Sequence, residues 1–114
     1  MSLTIYHNPK CSKSRATLAL LRDRGLEPTV VDYLSTPPDI ETLKSIITAL
    51  GCDPRDILRA KESKEVGLND PSLDDAVLLE RMVENPIVIE RPIVTAGNKA
   101  AMGRPPEAVL DILD

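Results

Sequence analysis

The chain reads as an α/β protein whose mixed four-stranded sheet is interrupted by an all-helical insertion. A short alternating segment, a helical segment and a second β-prone segment follow one another at the start. About fifty residues of helical pattern come next, longer than an ordinary connection between neighbouring strands. The end of the chain returns to two β-prone segments and a final helix. A strand, helix, strand order of this length predicts parallel pairing, and the two late strands predict a hairpin.

Leu3-Thr4-Ile5-Tyr6 alternates and is β-prone, and Asn8-Pro9 ends it with a turn signal. From Ser12 a helix runs through Ala16, Leu18, Ala19, Leu21 and Arg22-Asp23-Arg24 to Gly25, a natural stop. Thr29-Val30-Val31-Asp32-Tyr33 follows Pro28 as a second strand. Thr36-Pro37-Pro38-Asp39 then starts a helix whose apolar face is Ile40, Leu43, Ile46, Ile47 and Leu50, ending at Gly51. Asp53-Pro54 opens a short helix carrying Ile57 and Leu58 and ending at Arg59. The polar stretch Lys61-Glu62-Ser63-Lys64-Glu65 separates it from a third helix, opened by Ser72 with Asp74 and Asp75 in its first turn. That helix carries Ala76, Leu78, Leu79, Met82 and Val83 and closes at Asn85-Pro86. Pro92-Ile93-Val94-Thr95, a turn at Ala96-Gly97-Asn98 and a weaker strand over Lys99 to Met102 make the hairpin. Arg104-Pro105-Pro106-Glu107 starts a terminal helix with Val109, Leu110, Ile112 and Leu113 as its apolar positions. A single domain of 114 residues is expected, with a core of 1–35 and 86–114 and a helical insertion, 36–85, acting as a lid or side wall.

The formal net charge of -4 argues against a general nucleic-acid binder, and with no Phe or Trp there is no aromatic platform for stacking bases. No stretch approaches the roughly 20 apolar residues of a membrane span. Two cysteines, Cys11 and Cys52, lie far apart, and no hydrophobic leader precedes the first strand. A cytoplasmic protein with free thiols is expected. One His and two scattered Cys do not make a zinc site, so no metal is expected.

The chemistry concentrates in His7-Asn8-Pro9-Lys10-Cys11-Ser12-Lys13-Ser14-Arg15. A thiol at a loop-to-helix junction meets the positive end of the helix dipole and unpaired N–H groups, and Lys13 or Arg15 adds charge if it turns inward. Cys11 is therefore a candidate nucleophile in a loop that can also bind a tetrahedral anion. Ser14 stands where a Cys-x-x-Cys motif has its second thiol, so no local disulfide can form. Cys52, after Gly51 at a helix end, reads as a packed bystander. His7 either packs at the strand end or tunes the thiol by charge or a hydrogen bond. Asn8 makes the turn with Pro9, and Ser12 and Ser14 either cap the helix or offer hydroxyls to the anion. Arg59, Arg91 and Arg104 lie at element boundaries; each is a solvated surface residue unless folding gathers them, when their forked donors would suit an oxyanion.

His7-Asn8-Pro9-x-Cys11-x-x-Ser14-Arg15, Ile57-Leu58-Arg59, Arg91-Pro92-Ile93-Val94 and Arg104-Pro105 with Glu107, in that order and spacing, resemble the glutaredoxin-dependent arsenate reductase family. Ending soon after Arg104 and its helix, the chain is similar to the short chromosomal members. The resemblance implies a thioredoxin-like, glutaredoxin-like core with a helical insertion. It also implies that Cys11 is the nucleophile, that His7 tunes it, and that Arg59, Arg91 and Arg104 bind arsenate and stabilise the arsenic intermediates. Asn8, Ser14 and Arg15 complete the expected substrate site, and Pro92 matches the cis-proline that faces the thiol loop. Arsenate reduction would use glutathione as co-substrate and glutaredoxin as partner, with no bound cofactor, no nucleic acid, no membrane and a monomeric chain. Two alternatives stand beside it: a redox-linked regulator that binds RNA polymerase, and a glutathione-dependent thiol reductase.

Overall fold

The computed structural model describes residues 3–113. Four strands, β1 (Leu3–His7), β2 (Thr29–Asp32), β3 (Ile93–Ala96) and β4 (Lys99–Met102), form one sheet in the order β2-β1-β3-β4. β1 pairs parallel with β2 and antiparallel with β3, and β3 pairs antiparallel with β4. The mixed sheet is the one the sequence predicts. The chain divides into two compact units: one takes the stretch up to Thr36 together with the stretch from Arg91 onward, and the other is Pro37–Glu90.

In the first unit, α1 (Ser12–Asp23) joins β1 to β2. It ends where the sequence places the stop. Gly25 has φ +78°, its N–H donates to Arg22 O at 2.9 Å, and the Leu26 N–H donates to Leu21 O at 3.1 Å. This pair of bonds satisfies the last carbonyls and needs a left-handed residue at the turn. The two-residue hairpin between β3 and β4 likewise has Gly97 at φ +61°. The expected terminal helix is present as a 3-10 helix over Pro106–Ile112. Its buried residues Val109 and Ile112 are three apart, the spacing that stacks on one face at three residues per turn.

Strand alternation decides what faces α1. Ile5 pairs with Val94, and Leu3 with Ala96, and these residues pack in one cluster with Leu21, Val109 and Ile112. By the same period of two, His7 on β1 lies on the face of Leu3 and Ile5. The buried face of α1 is Ser14, Thr17 and Leu21, so a histidine and two small hydroxyl residues share the edge of an otherwise apolar layer.

The second unit contains α2 (Ile40–Leu50), a 3-10 turn (Pro54–Ile57), α3 (Ala60–Glu65), α4 (Asp75–Glu84) and a second 3-10 turn (Pro86–Val88). Asp39 caps α2 by accepting from Thr42 N at 2.8 Å, and Asp74 caps α4 by accepting from Val77 N at 2.9 Å. α4 therefore starts at Asp75 and not at Ser72, whose N–H and hydroxyl both donate to Asp70 Oδ1. The polar stretch after Arg59 is helical, and Arg59 is the N-cap of α3 where the sequence placed it at the end of a helix. Only Ser63 of α3 is buried, so there was no apolar period to read. No helix among the described residues is long and apolar enough to cross a membrane.

Leu21 is fully buried where α1 meets the sheet. Leu21→Ala should cost about 2–5 kcal/mol. Urea unfolding followed by circular dichroism measures this loss; a change well below that range would mean that α1 does not carry the core contact described.

Candidate active site

The site is built from the ends of β1, β3 and β4 and the start of α1. The ladder of β3 and β4 pairs Ile93 with Met102. One step beyond, the Gly103 N–H donates to Pro92 O at 2.9 Å. A further step sets Arg91 opposite Arg104, and the Arg104 Nε donates to Arg91 O at 2.8 Å. The register of a hairpin thus brings together two arginines that are thirteen residues apart. The Arg91–Pro92 peptide is cis, and so is Arg104–Pro105.

Cys11 is the N-cap of α1, with extended backbone at φ -95° and ψ 123°. Its N–H donates to Asn8 O at 3.0 Å, and its carbonyl accepts the first helical bond, from Arg15 N. Cysteine has no oxygen with which to cap, and no side-chain cap bond forms at this end. The first-turn amides, which have no intrahelical acceptors, are thereby left to other partners beside the thiol. Arg104 Nη2 lies 3.8 Å from Cys11 Sγ. Arg104 thus bridges the hairpin and the thiol, with Nε on a backbone carbonyl and Nη2 on sulfur. Arg91 is buried, in contrast to the solvated surface reading.

Neither Ser12 nor Ser14 caps the helix. The Ser14 hydroxyl is fully buried, accepts from Asn8 N at 3.0 Å and meets His7 Nδ1 at 2.5 Å. A neutral imidazole with its proton on Nε2 uses this arrangement fully: Ser14 donates its O–H to Nδ1 while accepting from Asn8. Burial, the largest influence, pushes the His7 pKa below its ordinary value; Asp32, its partner across the β1–β2 ladder, opposes the shift, and Arg22 and Arg15 reinforce it. A neutral His7 brings no positive charge to the thiol, so the cation beside sulfur is Arg104. Asn8 accepts from Lys10 N at 3.0 Å through its side chain, holding the turn with Pro9, and Arg15 Nη1 donates to Pro9 O at 3.0 Å. Both side chains brace the loop.

The first unit therefore gathers Cys11, His7, Asn8, Ser14, Arg15, Arg91, Pro92 and Arg104. Arg59 belongs to the second unit, where Nη1 lies 3.0 Å from Glu62 Oε2 and Nε lies 3.7 Å from Glu90 Oε1. Cys52 is also there and is partly buried; desolvation, with Asp56 and Asp53, pushes its thiol above the ordinary pKa. Among the described residues no three His, Cys, Asp or Glu side chains converge to hold a metal ion. Gly103, Thr17 and Asp32 were not singled out in the sequence. Only their register with Pro92, α1 and His7 gives them meaning.

The lowered His7 pKa sets a pH dependence. The unfolded chain takes up this proton near pH 6.5, before the folded chain does, so stability is full above that pH and falls below it until the folded form also protonates. The urea midpoint should decline between about pH 7.5 and about pH 5.5, above the range of ordinary carboxylates, and His7→Gln should remove that slope. A wild-type midpoint that is flat or rises as pH falls would contradict a buried, neutral His7.

Comparison with known proteins bears on the family and the fold. Residues 6–112 match the ArsC family. The chain is 53% identical over 112 residues to the uncharacterized protein YfgD of Escherichia coli (strain K12), spanning 96% of this chain and 94% of that one. It is 48% identical over 114 residues to an arsenate reductase of Neisseria meningitidis serogroup B, spanning 97% of each. The solved structure of an arsenate reductase from Vibrio cholerae aligns with a TM-score of 0.95 at 52% identity, covering 99% of this chain and 98% of that one. With its thioredoxin-like mixed sheet and its thiol at the start of α1, the chain belongs to the ArsC family.

Proposed function

We propose that this chain is an arsenate reductase that converts arsenate to arsenite through a covalent bond between Cys11 and arsenic, with glutathione and glutaredoxin as reductants. The observation that carries the reading is the guanidinium of Arg104 against Cys11 Sγ at 3.8 Å, at the uncapped start of α1. A nucleophile and an oxyanion cradle then occupy one place. The names of the relatives in Neisseria meningitidis and Vibrio cholerae support the substrate.

Arsenate is a tetrahedral oxyacid like inorganic phosphate and carries between one and two negative charges at neutral pH. Arg91, Arg104 and the first-turn amides of α1 offer compensating charge and donors, and the family resemblance adds Arg59 as a third guanidinium. Cys11 thiolate attacks As(V), and one arsenate oxygen leaves as water after taking up protons. A glutathione thiol displaces a second oxygen in the same way. A glutaredoxin thiolate then attacks the glutathionyl sulfur; a disulfide forms, the As–S electron pair stays on arsenic, and As(V) becomes As(III). Water hydrolyses the remaining Cys11–As(III) bond, releasing arsenite and restoring the thiol. Ser14 explains the need for external thiols, since it occupies the position from which a second cysteine would resolve the intermediate. Glutathione supply fits a cytoplasmic setting.

The test is arsenate-dependent NADPH consumption with glutathione, glutaredoxin and glutathione reductase. Wild type should turn over and Cys11→Ser should fall to background; turnover in Cys11→Ser would remove Cys11 as nucleophile. Arg91→Lys and Arg104→Lys keep the charge and lose the fork, and each should lower kcat/KM by about tenfold to a hundredfold. Unchanged kinetics in either variant would take that arginine out of the site.

A further inference from the structure

We infer that Gly103 is a positioning residue: its missing side chain is what lets α1, carrying Cys11, close against the strand end that carries Arg104. An ideal Cβ built on Gly103 would lie 2.5 Å from Thr17 Oγ1, 3.1 Å from Thr17 Cγ2 and 2.6 Å from Pro92 Cγ. These are not flexible ends of long side chains. Thr17 is fully buried on α1 with its hydroxyl donated to Lys13 O at 2.8 Å, and Pro92 is a ring whose carbonyl accepts the Gly103 N–H at 2.9 Å. A β-branched side chain in a helix has little rotamer freedom with which to move aside.

The reason lies in the sheet. Ala101 pairs with Val94 and packs on the core that meets α1, so Gly103, two residues on, lies on the same face. Pro92 lies on that face too, opposite Gly103, and His7 is on the same side of β1. Gly103 thus sits between the strand ends and α1, next in sequence to Arg104. Any residue with a Cβ forces α1 and the strand ends apart by a good fraction of an ångström, and the 3.8 Å contact of Arg104 with Cys11 spans this seam.

The inference rests on Cys11 and Arg104 acting as one anion-attracting site, which is part of the proposed function, but its readout requires no arsenate. Cys11 alkylation by anionic iodoacetate and by neutral iodoacetamide is followed by peptide mass spectrometry, which separates Cys11 from Cys52. The iodoacetate to iodoacetamide rate ratio reports the cation beside the thiol, and a general loosening of the fold that leaves Arg104 in place does not change it. In folded Gly103→Ala the ratio should fall about fivefold, the scale of one unit charge lost at close range. Adding Thr17→Ala removes two of the three collisions and should restore part of the ratio, the non-additivity expected of touching residues. Thr17→Ile, which crowds the seam from the helix side with Gly103 intact, should lower the ratio as well, and it decides the matter if Gly103→Ala does not fold. A wild-type ratio in folded Gly103→Ala, or in Thr17→Ile when Gly103→Ala is unfolded, would overturn the inference; so would a double variant no better than folded Gly103→Ala. Absence of arsenate turnover in wild type would overturn the arsenate reading and leave the ratio readable.

Discussion

Everything in the site depends on the register of the β3–β4 hairpin. Gly97 closes the turn, Ile93 pairs with Met102, and the ladder extends through the bond from Gly103 N–H to Pro92 O. The next step is the bond from Arg104 Nε to the Arg91 carbonyl. A slip of one residue would move Arg104 off that carbonyl and turn the β4 side chains to the other face of the sheet. The register is held from below by the core, where Val94 and Ala101 pack with Ile5 and Leu21. Core packing therefore aims the guanidinium, and the site inherits the rigidity of the sheet.

Against that fixed wall the loop from His7 to Ser14 gives up helix stability for chemistry. An N-cap serine, threonine, aspartate or asparagine in place of Cys11 would stabilise α1 by about 0.5–2 kcal/mol. The chain compensates locally. Ser14 ties His7 to the Asn8 amide, Asn8 ties the turn through Lys10 N, and Arg15 ties the Pro9 carbonyl. These bonds hold the loop without using the first-turn amides or the thiol. Because burial keeps His7 neutral, the positive charge beside sulfur comes from Arg104 and leaves the imidazole free to serve as a hydrogen-bonding strut.

Much of this was legible in the sequence because it is local. Gly25 and Gly97 announce their turns, and Thr36-Pro37-Pro38-Asp39 announces a helix start, although the cap is Asp39 and the helix begins only at Ile40. The thiol at a loop-to-helix junction is likewise a local pattern. What was not legible depends on which faces meet. Ser14 looked like a cap because the sequence alone does not reveal that it faces His7, seven residues earlier on a strand. Arg91 looked like surface because its burial comes from tertiary neighbours that local sequence does not name. α3 leaves no trace in the sequence because a helix with only Ser63 buried carries no apolar period, whereas Val109 and Ile112 do mark the terminal helix, though not its 3-10 form. Gly103 carried no local signal at all, since its turnless extended position takes its meaning from Thr17 across the layer.

The proposed reaction depends on a covalent bond between Cys11 and arsenic formed beside Arg104. Diffraction at the arsenic absorption edge, from crystals soaked in arsenate, tests it most directly. One anomalous peak is expected at bonding distance from Cys11 Sγ, with the arsenic-bound oxygens toward the Arg91 and Arg104 guanidiniums and the first turn of α1. Arsenic bound elsewhere with Cys11 unmodified, or no peak at Cys11 in crystals whose thiol is reduced, would contradict it.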